Sequence, residues 1–307
     1  MRVALLAGGT GGAKLAAGMQ EEIGGGLTVI ANTADDIETL GVHVSPDPDL
    51  CTYWLSGEID EERGWGLRDD TFRVMERMAD VGAPNWFSLG DRDLAACLYR
   101  AEFMRAGGRQ TDAQAQIARG LGVEASVLPM CDEAVRTKVL TEHGRRELQE
   151  YLILDGGQPP VEGVRLEGIE AAEPTPEVLD AIATAEAIVL GPSNPVISIG
   201  PILALPGMRE AIAASPAPVL AVSPYVAGAV VKGPTDRFME GIGRPTTAAG
   251  VASLYAGLID AMVVDEGDPD PPPAEIPTLA TQTLMEGAAG RLRLARIVLD
   301  YAATLGS

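Results

Sequence analysis

Residues 2–7 form an unbroken apolar run that stops at glycines, the pattern of a parallel strand buried on both faces. Small and apolar residues at helical spacing predict a helix over 13–23, and residues 27–31 predict a second buried strand. Helical spacing recurs over 70–80, 91–105 and 111–121. Residues 127–130 and 135–141 read as strands, the second expected to pair with an extended segment at 150–154. Beyond that point the alternation becomes regular. A helix over 176–185 precedes a strand at 187–190, and a helix over 207–214 precedes a strand at 219–222. Helices at 235–242 and 246–258 lead to a strand at 261–264, and a last helix covers 284–304.

Strand and helix in turn predict an α/β fold of Rossmann-like type, with a mostly parallel sheet and helices on both faces. The stretch from about 60 to 168 is helix-rich and alternates less, as expected of an insertion or lid on a single domain spanning 1–307. Ligands of such sheets bind beyond the carboxyl ends of the strands. The polar segments that follow predicted strands are therefore the places to look for chemistry.

Charge narrows the classes of ligand. Lys and Arg total 23 against 44 Asp and Glu, a formal net charge of −21. A field of that sign repels nucleic acid and anionic membranes, so neither is an expected partner. A phosphate ligand must then be held locally, by backbone amides, a few basic side chains or a bound cation. The three cysteines, Cys51, Cys97 and Cys131, contain no C-x-x-C pair, which fits a reducing cytoplasm. With two histidines, His43 and His143, the expected metal is one that takes oxygen ligands, such as Mg²⁺. No leader peptide is predicted, since glycines begin at Gly8, and the apolar stretch 187–206 is too broken by Gly and Pro to span a membrane.

Six segments carry candidate chemistry. Gly8-Gly9-Thr10-Gly11-Gly12-Ala13-Lys14 lies between a strand and a helix, where glycines let phosphate approach the backbone and the helix supplies free N–H groups. It lacks the Gly-Lys-Ser/Thr of a Walker loop, and Lys14 stands where a dinucleotide fingerprint needs its third glycine. Asn32-Thr33-Ala34-Asp35-Asp36 ends the second strand, placing two carboxylates where a ribose, a cation or a helix cap would use them. His43-Val44-Ser45-Pro46-Asp47-Pro48-Asp49 adds two more acids in a proline-stiffened segment. Four carboxylates so close are tolerable if a cation sits among them, and which of Asp35, Asp36, Asp47 and Asp49 would touch it is open. Leu89-Gly90-Asp91-Arg92-Asp93-Leu94 precedes a helix. Residues 191–201, with Ser193 and Asn194 between prolines, form a stiff loop suited to orienting a base or ring. Val222 to Gly228, followed by Lys232-Gly233-Pro234, is the sixth.

In this order the segments, together with residues 128–132, resemble the 2-phospho-L-lactate transferase family (CofD/FbiA) of coenzyme F420 biosynthesis. The resemblance implies a donor of guanosine diphosphate carrying phospholactate, phosphoenolpyruvate or a related three-carbon acid. It implies as acceptor the deazaflavin alcohol Fo (7,8-didemethyl-8-hydroxy-5-deazariboflavin), with GMP leaving, Mg²⁺ as cofactor and a homodimer as the assembly. By the same resemblance Asp36 and Asp47 are expected to hold the metal. Asp49 is expected to orient or deprotonate the acceptor hydroxyl, and Arg92 to contact deazaflavin or phosphate. Gly8, Gly9, Thr10, Gly11, Gly12 and Lys14 would take the donor phosphates, with Ser193 and Asn194 seating the nucleotide.

The chain departs from the family pattern at Pro48 and Leu50, where Leu and Thr are common, and at Ala96 and Cys97, which stand for Thr and His. Two other readings compete. One is a non-catalytic regulator that binds nucleotide sugars (YvcK-like), which shares the N-terminal loop. The other is a nicotinamide dehydrogenase, weakened by Lys14 in the fingerprint.

Overall fold

The structure, a computed structural model, describes residues 1–270, 272 and 274–306. Strand β1 (Val3–Ala7) runs into helix α1 (Gly9–Ile23), and the chain returns as β2 (Leu27–Ala31). A hairpin of β3 (Ile37–Thr39) and β4 (Val42–Val44) leads to α2 (Pro46–Leu55). Helices α3 (Arg73–Asp80), α4 (Asp91–Arg105) and α5 (Gln110–Gly120) precede β5 (Ser126–Pro129). A small antiparallel sheet follows, made of β6 (Arg136–Thr141), β7 (Gly144–Glu147) and, after α6 (Leu148–Ile153), β8 (Gly163–Glu167). The chain then runs through α7 (Pro176–Thr184), β9 (Ala187–Leu190), α8 (Ile199–Ala204), α9 (Met208–Ala214) and β10 (Val219–Val222). The hairpin β11 (Tyr225–Val226) and β12 (Ala229–Val230) precedes α10 (Thr235–Gly241) and α11 (Ala248–Leu254). The last elements are β13 (Ala261–Asp265), β14 (Thr278–Thr281) and α12 (Gly287–Leu305).

Seven strands form one parallel sheet in the order β14-β13-β10-β9-β1-β2-β5. The first strand lies in the interior of the sheet, with the chain winding away from it in both directions, which is the Rossmann-like order expected. Successive side chains of β1 enter opposite cores. Val3, Leu5 and Ala7 pack with Leu15, Met19, Leu294 and Val298 of α1 and α12. Ala4 and Leu6 pack with Val178, Ile182, Ile202 and Val251 of α7, α8 and α11. Burial on both faces is why these strands read as continuous apolar runs.

Three details differ from the sequence reading. Helix α1 begins at Gly9, so most of the expected glycine loop is the helix's first turn. Residues 150–154 are not a strand: α6 covers 150–153 and ends there, and β6 pairs instead with β7 and β8. The proline-stiffened segment opens a helix that periodicity did not predict, α2, where prolines fit because the first helical N–H groups need no partner within the helix.

Helices α1 and α12 touch at Gly18, where an added Cβ would lie 2.4 Å from the Arg291 carbonyl oxygen. Gly18→Val is therefore expected to destabilise the chain by about 1–3 kcal/mol, the usual cost of overpacking. Urea denaturation would show this as a lower midpoint, and an unchanged midpoint would contradict the packing described.

Candidate active site

Strand β1 pairs with β2 on one side and β9 on the other, so the crevice at its carboxyl end is the switch point of the sheet. The turn from β1 to α1 and the loop from β9 to α8 meet there without room for side chains. A Cβ on Gly11 would lie 2.0 Å from the Pro192 carbonyl oxygen, and one on Gly8 would lie 2.3 Å from Asp47 Oδ2. Gly9 is glycine for a different reason, its backbone angle φ of +59°. The Gly8 amide donates to Ser193 Oγ at 3.1 Å and the Gly9 amide to Asp47 Oδ1 at 2.5 Å. A cavity of about 420 Å³ opens over this junction, lined by Gly8, Gly9, Thr10, Gly11, Lys14 and Ser193 among others.

Two carboxylates reach this cavity, Asp35 and Asp47. The side-chain amide of buried Asn32 donates to both, at 3.2 Å to Asp35 Oδ1 and 2.9 Å to Asp47 Oδ2. Burial, foremost, raises both pKa values; Asp35 is lifted further by the charges of Asp47 and Asp36. For Asp47 the hydrogen bonds from Asn32 and Gly9 oppose burial, leaving it at about 6. Buried acids that repel one another across a shared amide fit a hard cation with oxygen ligands.

Helix geometry sends the acids of α2 to different places. Residues two apart on a helix point about 200° apart, so Asp47 faces the junction while Asp49 turns away. Asp49 enters a second cavity of about 350 Å³, also lined by Asp47, Tyr53, Trp65, Trp86 and Asp93. Two of the chain's three tryptophans stand there. One Asp49 oxygen is paired with the wholly buried Arg100, while Oδ2 is buried with no partner among the described residues. Asp93 accepts from Tyr53 Oη at 2.7 Å, and burial followed by the charge of Asp49 lifts its pKa to about 7.

The sequence matches the family model described as 2-phospho-L-lactate transferase CofD over residues 3–285. The chain belongs to the CofD family. It is 40% identical to the 2-phospho-L-lactate transferase of Methanosarcina mazei over 265 residues, 86% of this chain and 87% of that one. It is 42% identical to the phosphoenolpyruvate transferase of Streptomyces coelicolor over 277 residues, covering 88% and 87%. A UPF0052-family protein from Bacillus halodurans shares the fold, with a TM-score of 0.68 at 18% identity over 97% of this chain and 98% of that one.

This CofD-family transferase brings together most of the residues singled out in its sequence. Gly8, Gly9, Thr10, Gly11, Lys14, Ser193, Asn194 and Asp47 line the first cavity, and Asp49 lines the second. Gly12 lies just beneath, against Ser193 and Ala7. Asn194 also stiffens its loop, its Oδ1 accepting from the Val196 and Ile197 amides at 2.9 and 3.1 Å.

Asp36 and Arg92 line neither cavity. Asp36 is held inward by His43 Nε2 at 2.9 Å, Ser45 Oγ at 2.7 Å and Gln110 Nε2 at 2.7 Å. Burial opposes a charged His43 ring, but Asp36 and Glu38 outweigh it and raise the pKa of His43. The Arg92 guanidinium is half-exposed and paired with Glu58, while its amide donates to Asp70 at 2.9 Å. Asp35 was one of the four acids left open as a cation ligand, whereas Asn32, Arg100 and the aromatic wall of the second cavity carried no assigned role in the sequence reading. Of these only Asp35 and Asn32 sat in a segment it quoted.

Asp93 supplies a test of this electrostatic picture. A carboxyl whose folded pKa is raised to about 7 from 3.8 adds stability that is complete below about pH 4 and lost as pH rises through 7. Asp93→Asn keeps an acceptor for Tyr53 and removes the titration. The variant is expected to exceed the parent in stability at pH 8 by on the order of 2–4 kcal/mol. That gain should vanish towards pH 4 when midpoints are compared across the range; a pH-independent difference would contradict it.

Proposed function

We propose that this chain moves a phospholactyl-type group from a guanosine diphosphate-linked donor to the terminal hydroxyl of the deazaflavin Fo, releasing GMP, in coenzyme F420 biosynthesis. The observation that carries the reading is Asp47, which lines both cavities and so stands between a phosphate-binding junction and an aromatic chamber. The first cavity offers backbone amides of a helix N-terminus and two lysines, suited to donor phosphates. The second offers flat aromatic walls, suited to a planar acceptor.

In the reaction the acceptor oxygen attacks the phosphorus that bears the three-carbon acid. A new P–O bond forms, the bridging P–O bond breaks in line, and GMP leaves with the bond's electrons. Asp49 Oδ2, buried and without a partner among the described residues, takes the hydroxyl proton; burial, foremost, raises the Asp49 pKa, as suits a proton acceptor, and Arg100 offsets part of that rise. Mg²⁺ is the cofactor in this reading, with Asp47 and Asp35 as the residues that would hold it in place of the expected Asp36–Asp47 pair; bound there it supplies positive charge for phosphoryl oxygens. The role expected for Arg92 passes to Lys14 for phosphate and to Asp49 and the aromatic wall for deazaflavin.

Relatives named for 2-phospho-L-lactate and for phosphoenolpyruvate are similar to this chain at 40% and 42% identity, and the phospholactyl-type group of this reading covers both acids. Three free, buried cysteines support a reducing cytoplasm as the setting. No described helix is long and apolar enough to cross a membrane. Homodimerisation belongs to the same reading.

The test is GMP release from the guanosine diphosphate-linked acid when deazaflavin is added. The parent chain should release GMP, whereas a non-catalytic nucleotide-binding regulator would bind donor and release none. Asp49→Asn should lower turnover by roughly 100-fold or more with an unchanged circular dichroism spectrum, as loss of a general base does. Full activity in that variant would retire the proton-accepting role.

A further inference from the structure

The chain contains only three lysines, Lys14, Lys138 and Lys232. Lys138 lies away from the crevice and is ion-paired with Glu147 and, at 3.5 Å, with Glu167. Lys14 and Lys232 both line the first cavity. Among the described residues neither of them forms an ion pair, in a chain whose formal net charge is −21. Lys14 Nζ sits over the Trp54 ring, 5.4 Å from its centre, with the Arg291 guanidinium 4.9 Å from the same ring. Burial, then the charge of Arg291, lowers the pKa of Lys14, and Lys232 adds to that repulsion.

Lys232 belongs to the connection between β12 and α10, in the C-terminal half of the sheet, whereas Lys14 belongs to α1 in the first half. Its side chain is exposed, and its Nζ reaches the Gly64 carbonyl at 3.5 Å, the outer limit of a hydrogen bond. Gly64 makes room for it: a Cβ there would lie 2.3 Å from the ammonium nitrogen. An ammonium group so weakly held exchanges a carbonyl for a phosphate or carboxylate oxygen with net gain, because charge-assisted bonds are the stronger ones. Two cations left unpaired in an acidic protein, converging on one cavity from opposite halves of the fold, are explained by an anion that bridges them.

We infer that Lys232, with Lys14, binds the anionic part of the donor, making Lys232 a specificity-determining residue for phosphate-bearing nucleotides. The inference rests on the donor reading given under Proposed function. It assigns to the Lys232-Gly233-Pro234 segment a task that the glycine-rich turn alone does not perform: contact with the donor from the far side of the crevice.

Titration calorimetry with GDP and Mg²⁺ separates the possibilities. The parent chain is expected to bind GDP. Lys232→Met should weaken that binding by about ten-fold or more, the effect of losing one charged hydrogen bond. It should also make binding less sensitive to added KCl, since one ammonium–phosphate contact is gone. Lys138→Met, which removes the lysine outside the crevice, should bind like the parent. If the parent binds GDP and Lys232→Met binds it equally well, the assignment of Lys232 is overturned. If the parent binds no GDP, the donor reading falls, and this inference with it.

Discussion

The crevice depends on how closely the β1–α1 turn approaches the β9–α8 loop and the Asp47 side chain at the end of β1. The β1–α1 turn lies against the Pro192 carbonyl on one side and the Asp47 carboxylate on the other, at distances that exclude any side chain at Gly11 and Gly8. That contact fixes the position of Asp47, which accepts from the Gly9 amide and from Asn32. Because Asp47 opens α2, its placement fixes the helix, and the helix in turn aims Asp49 into the neighbouring chamber. The seating of one carboxylate against the β1–α1 turn thus sets the relation between two cavities.

Electrostatics follows from the same packing. Asp35, Asp47, Asp49 and Asp93 are buried acids with raised pKa values, so the ligand-free chain carries repulsion in its interior. Arg100 offsets part of it at Asp49, and Asn32 offsets part at Asp35 and Asp47. The remainder is a strain that binding would relieve, since a cation between the acids and an anion between the lysines have opposite charges. An acidic protein can in this way hold an anionic substrate without a broad basic surface.

The sheet was readable in the sequence because strands such as β1 and β9 are buried on both faces and leave unbroken apolar runs. Strand β14 left no such trace, since Thr278–Thr281 is a short edge strand with alternate residues exposed. The β3–β4 hairpin turns on Leu40 and Gly41, both at positive φ, without the Asn-Gly or Asp-Gly that announces such a turn. Residues 148–153 are too few for periodicity to separate helix from strand. At the site, the motif marked Asp35 and Asp36 equally. Which of the two faces the cavity is decided by His43, Ser45 and Gln110, which draw Asp36 inward from two segments far apart in the sequence. The aromatic chamber was hidden for a similar reason: Tyr53, Trp65 and Trp86 are scattered along the chain and share no spacing.

The central claim is that a divalent ion and backbone amides mediate between buried acids and a phosphate ligand at the end of β1. Its most direct test is a crystal structure of the chain with GDP and Mn²⁺, using the anomalous signal to place the metal. The account predicts a peak between Asp35 and Asp47 with phosphate oxygens over Gly8 to Gly11. A bound GDP with the metal at Asp36, or with none near Asp47, would contradict it.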